Sequence, residues 1–97
     1  MMLARRTLVE HEGERAVGEI TFSDLFSLPE CPSDWGCVVT IVIDGVPTSE
    51  RVTGVDQVQV LLNAFASARA QIARSPRASV LRWLGGYSPG DHGLDAP

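Results

Sequence analysis

Residues 55–75 read VDQVQVLLNAFASARAQIARS, with apolar side chains at Val58, Leu61, Leu62, Phe65, Ala68 and Ile72. That spacing follows one stripe of a helix with 3.6 residues per turn, so the stretch predicts an amphipathic helix that buries those six residues. Asp56 is placed to cap the start by accepting from an orphan amide, and Gln59 to reach back in a capping box. Val55 and Val60 fit a hydrophobic staple. Arg69 and Arg74 lie toward the negative end of the helix dipole, and Pro76 stops propagation.

Ahead of the helix the period changes to two. Residues 3–9 form a short apolar and β-branched run, a first strand, and residues 11–14 are its turn, with Gly13 free to take positive φ. Residues 15–22 alternate: Ala16, Gly18, Ile20 and Phe22 share one side, and Arg15, Val17, Glu19 and Thr21 the other. A half-buried strand paired to the first follows. Trp35–Ile43, WGCVVTIVI, is apolar throughout, which suits a central strand buried on both faces, or one with a face at a dimer contact. Asp44-Gly45 then makes a two-residue turn of the primed type, so residues 46–53 return with Ile43 opposite Val46 and Ile41 opposite Thr48. Pro47 has no amide hydrogen, which makes this an edge strand or turns that position outward.

Between the second and third strands, residues 23–34 carry two prolines and read as a surface loop with one helical turn at 24–28. Its Leu25, Phe26 and Leu28 either tuck under the sheet edge, the favoured reading, or form a patch for a partner. Residues 79–84 offer a last short strand with Leu81 and Trp83 on one face. Residues 85–97 are a glycine-rich tail whose anchors would be Tyr87 and Leu94. The sum is an α+β class: a two-layer arrangement of a four-stranded (with 79–84, five-stranded) antiparallel sheet on one long helix, in the order β-β-β-β-α-(β), as a single domain over 1–97.

Composition narrows the classes. Hydrophobic residues make up 44% and charged residues 21%, which is globular rather than disordered. No apolar run approaches the roughly 18–20 residues that span a bilayer, and the N-terminus lacks the apolar core of a signal peptide. The expectation is a cytoplasmic protein whose Cys31 and Cys37 are free thiols. Net charge is −4, which disfavours broad binding to nucleic acid or anionic lipid. The acids concentrate in the first half, while residues 57–90 hold Arg69, Arg74, Arg77 and Arg82 and no acid.

Candidate chemistry is thin. A metal would have to be held by Cys31, Cys37, His11 and His92, but Cys-x5-Cys is not a knuckle spacing and no second ligand pair follows. Cys31 between Glu30 and Pro32 is not an activating setting for a nucleophile, and Asp91-His92 are neighbours in sequence rather than a dyad. The glycine tail lacks the GK[ST] ending of a phosphate loop and opens no helix. No catalytic, cofactor-binding or metal-binding residue is therefore expected, and no cofactor. Gly90-Asp91-His92-Gly93 reads as an aspartate-to-amide turn. The arginines read first as a solvated helix end.

Three stretches together carry a resemblance: Arg6-Thr7-Leu8 on the first strand, Gly54-Val55-Asp56 with Gln59 and Leu61 into the helix, and Leu81-Arg82-Trp83-Leu84-Gly85-Gly86 followed by Gly90-Asp91-His92-Gly93. The chain resembles a family of small bacterial proteins, about a hundred residues long, classed as a domain of unknown function. Residues 23–34 depart from the shorter connection expected in that family. The resemblance implies no catalytic role.

Three functional classes remain. The leading one is a non-enzymatic protein-binding module, in its narrower form an inhibitor or immunity-type antidote whose acidic surface covers a basic site. Its contacts would come from Leu25, Phe26, Leu28, Trp83, Tyr87, Arg69 and Arg74. The second is a small ligand-binding or enzymatic domain with Asp91, His92 and Tyr87 around a pocket by residues 85–93. The third is a weak nucleic-acid-binding regulator using the arginines. A homodimer through residues 46–53 or the outer face of Trp35–Ile43 is also expected.

Overall fold

The computed structural model describes residues 2–13, 15–28 and 34–94. Five strands, β1 (Met2–Glu10), β2 (Ala16–Ser27), β3 (Trp35–Ile43), β4 (Val46–Gly54) and β5 (Leu81–Trp83), form one antiparallel sheet in the order β4-β3-β2-β1-β5. One helix, α1 (Gln57–Ala73), packs on it, which is the expected α+β class with the fifth strand present. Cys31 and the rest of 29–33 lie outside the described residues.

The β3–β4 hairpin has the register its turn dictates. Asp44 and Gly45 have φ of 52° and 81°, the positive pair a primed turn requires, and Ile43 pairs with Val46, Ile41 with Thr48. A two-residue loop closes on a hydrogen-bonded pair, so every second pair along the ladder is bonded and Pro47, opposite Val42, falls between. Its missing amide hydrogen faces outward on the sheet's edge strand. Along the same outward edge, Thr53 presents a carbonyl that Asn63 of α1 caps at 2.8 Å.

β2 runs further than the loop expected there. It continues to Ser27, with an irregularity between Ser23 and Phe26 and Asp24 at φ 59°, instead of breaking into a helical turn at 24–28. The physical reason is β3: Phe26 and Ser27 find backbone partners in Gly36 and Trp35. Gly36 leaves the space the Phe26 ring fills, since a Cβ there would stand 2.8 Å from it. Leu28 is buried and Leu25 packs on the core, which is the tucked arrangement.

The helix is placed, capped and ended as the sequence indicates, but rotated. Asp56 accepts from the Gln59 amide at 2.7 Å, and the Gln59 side chain reaches back to the amide of Val55 rather than Asp56, also at 2.7 Å. Val60, Ala64, Ser67, Ala68, Gln71 and Ile72 face the sheet. Of the expected stripe, only Ala68 and Ile72 are fully buried; Leu61 and Phe65 are half-buried on its flank, and Val58 and Leu62 are 68% and 47% exposed. Val55 is exposed as well, so no staple with Val60 buries it. The rotation has a polar cause. β4 turns Thr48 and Glu50 toward α1, and they need partners. Gln71 accepts from Thr48 Oγ1 at 2.7 Å and donates to the Val39 carbonyl at 3.3 Å; Ser67 donates to Glu50 at 2.9 Å. Satisfying these groups turns the Ser67–Gln71 side of the helix inward and leaves part of the leucine side outside.

Candidate functional site

Because α1 lies over β3 and β4 and meets β2 only at its edge, the helix-facing side of β1 and β2 needs another cover. The tail supplies part of it. After β5 the chain turns back, with Trp83 donating to the Asp91 carbonyl and Gly90 to the Leu81 carbonyl, each at 2.9 Å. Asp91 then accepts from the Gly93 amide at 3.0 Å, the turn expected of GDHG, and His92 Nε2 lies 2.7 Å from the Ala78 carbonyl. Leu94 is thereby delivered into the core, 4% exposed.

Two arginines fix that end of the chain. Arg6 sits at an inward position of β1, in the same parity as Ala4 and Leu8. Its guanidinium lies 4.1 Å from the Trp83 ring centroid and donates to the Gly93 carbonyl at 2.6 Å. Arg69 of α1 donates to the Leu94 carbonyl. An inward arginine on a strand was the signal in the sequence for this clamp, and the alternation pattern alone does not say what it grips.

What the tail leaves uncovered is an apolar groove of about 260 Å³. Ala4, Ile20 and Phe22 form its floor, Leu61 and Phe65 its helical wall, and Leu94 its end. Arg5 and Arg6 stand at its margin. Phe22 and Phe65 meet edge to face, centroids 5.2 Å apart. Beyond the wall, α1 continues to water with Val58, Leu62, Ala66 and Ala70, and from Gln57 through Ala68 it carries no charge at all. The Val58–Leu62 flank of the helix is therefore apolar and uncharged beside an apolar groove.

The residues nominated from sequence do not converge there. Leu28 is core. Phe26 is half-buried, with Arg51 standing 5.8 Å over its ring. Trp83 packs under Arg6. Tyr87 stands 93% exposed and does not anchor the tail, a correction to its expected role. Arg69 holds Leu94, and Arg74 pairs with Glu50 at 3.0 Å. Asp91 and His92 line an open hollow of about 630 Å³ with Ser79 and Ser88, but Asp91 Oδ1 already holds the Gly93 amide and His92 Nε2 the Ala78 carbonyl, and Tyr87 is not part of it.

Four acids of the strand half, Glu10, Glu19, Asp44 and Glu50, are paired with arginines of the same chain. Glu10 is held below the usual carboxylate range by hydrogen bonds from Arg15 and Arg77, at 2.7 and 3.1 Å. Glu50 is lowered by the Ser67 hydroxyl and then by Arg74. Cys37 is fully buried and burial pushes its thiol up, so it is not a nucleophile in waiting. Among the described residues no three His, Cys, Asp or Glu side chains group as a metal site, and no helix is long and apolar enough to cross a membrane.

A family model described as Domain of unknown function (DUF6968) matches residues 4–96. No curated protein and no solved structure matches the chain.

Proposed function

The chain belongs to this family of domains of unknown function, and we propose that it is a non-enzymatic protein-binding module. The observation that carries this reading is the apolar groove between α1 and β1–β2, continuous with the exposed Val58 and Leu62. Large apolar side chains left in water beside a concave surface favour a partner that covers them.

The contact is apolar first. Glu10 and Glu50 are occupied by arginines or a hydroxyl of the same chain, which leaves less acidic surface for the antidote mode of binding, where charge does the steering. Pairing of a second copy along β4 has little backbone to work with. Pro47 offers no donor, and the Thr53 carbonyl is taken by Asn63.

The test is photocrosslinking in the source cells, with a photoreactive residue at Leu62 and, as control, at Thr40 on the opposite sheet face. The expected result is one discrete partner captured from Leu62 only, unchanged from about 0.1 M to about 1 M salt because apolar contact is not screened. Identical patterns from both positions, or none from Leu62, refute the reading; capture that fades with salt favours the electrostatic antidote instead.

A further inference from the structure

The groove does not stand alone; a bare strand edge runs beside it. Glu10 donates its amide to the Arg15 carbonyl on the β2 side, and His11 donates to the Val80 carbonyl on the β5 side, both at 2.9 Å. Backbone direction alternates along a strand. Val9, Thr7 and Arg5 therefore present N–H and C=O toward β5, while Leu8, Arg6 and Ala4 bond to β2. But β5 is three residues long and reaches only to Leu8, opposite Trp83. Among the described residues, the outward backbone groups of Thr7 and Arg5 have no partner strand. Opposite β4, whose edge is blunted by proline and capped by Asn63, this second edge is open.

The side chains around it state what would fit. On the helix-facing side, Ala4 is small and leads straight to Leu61 and Phe65. On the other side, Arg5 is exposed and its single described ion pair, to Glu19 at 3.8 Å, is long and solvated. Resting on the protein-binding reading above, we propose that the site takes an extended peptide segment of another protein. It adds as a strand to the Arg5–Thr7 edge of β1, with apolar side chains at alternate positions entering the groove and an acidic side chain between them facing Arg5. Main-chain bonds to Arg5 and Thr7 supply binding without sequence preference, and the groove and Arg5 supply selection. A helical ligand matches the groove but makes no main-chain bonds to the open edge, which is why the extended form is favoured.

The test uses the whole chain and a phage-displayed library of random dodecapeptides. Selected sequences are expected to share apolar residues with a period of two and Asp or Glu between them. A synthetic copy of the leading sequence should shift the amide signals of Arg5 and Thr7. Arg5→Pro removes a donor the β1–β2 ladder does not use, so the fold should persist while affinity falls at least tenfold. If that variant does not fold, the same loss is expected from a peptide N-methylated at alternate amides. Apolar residues spaced at three and four, or affinity indifferent to both backbone changes, overturn strand addition while leaving the groove as contact surface. Affinity indifferent also to Leu61→Gln overturns the groove reading itself, and an empty selection counts against both.

Discussion

Val60→Ala and Leu62→Ala form a pair that separates the observed rotation of α1 from the one its sequence suggests. Val60 is 0% exposed, against Gly54 at the end of β4, where a Cβ would stand 2.9 Å from the Val60 amide. Removing two methyl groups from a closed site forfeits about 1.6 kcal/mol of transfer energy, and the residual cavity adds about 1 kcal/mol, for roughly 2.6 in total. Leu62 is 47% exposed, so about half of its three carbons' transfer energy is at stake, at most about 1.3 kcal/mol, with no cavity because the site opens to water. The better helix propensity of alanine offsets part of that. At about 4–8 °C per kcal/mol for a domain of this size, Val60→Ala should lower Tm by roughly 10–20 °C and Leu62→Ala by no more than about 10 °C. Thermal unfolding followed by circular dichroism reads both. A larger loss for Leu62→Ala than for Val60→Ala would mean that the leucine stripe is the buried one and that the groove's helical wall is misplaced.

Other outcomes follow from the clamps and the charges. Glu10 and Glu50 have folded pKa values below their ordinary 4.5, so the stability they contribute is present above that pH and lost as pH falls through the folded values. Unfolding midpoints should drop in that acid window, and Glu50→Gln should be less stable near neutrality and flatter in acid; an unchanged slope would remove the Ser67 and Arg74 contacts from the account. Arg6→Ala loses the carbonyl bonds and the Trp83 stack, costing about 1–3 kcal/mol, and hydrogen exchange should rise first at Gly93 and Leu94. Exchange that rises evenly over the whole chain would deny Arg6 its particular hold on the tail. Cys37, mapped by mass spectrometry, should resist thiol reagents until the domain unfolds; rapid labelling of the native protein would contradict its burial.

How much of this was legible in the sequence divides by mechanism. Strand and turn chemistry is local, so Asp44-Gly45, Pro47 and the alternation at Ile20 and Phe22 gave the hairpin register and the edge directly. Asp56 gave the helix start for the same reason. The helix face did not follow from periodicity because α1 has two apolar surfaces, and the choice between them was made by Thr48 and Glu50 across the interface. That information lies about twenty residues away and is polar. The length of β2 was hidden by proline-rich composition just beyond it, while Gly36 on β3 held the space for Phe26. The groove is legible only in part: the helical spacing marks Leu61 and Phe65 as apolar, but nothing local says that the sheet leaves them half uncovered. Arg6 stands in the sequence as one letter of a short motif, and only its inward parity on β1 marks it as a group the tail must answer.

Whether α1 leaves its Val58–Leu62 flank and the neighbouring groove open is the claim on which the binding proposal stands. Methyl spectra recorded with a soluble paramagnetic agent at low protein concentration address it directly. Leu62 and Val58 should broaden strongly and Leu61 in part, while Val60 and Ile72 stay sharp. Protected Leu61 and Leu62 methyls alongside a broadened Val60 would contradict it.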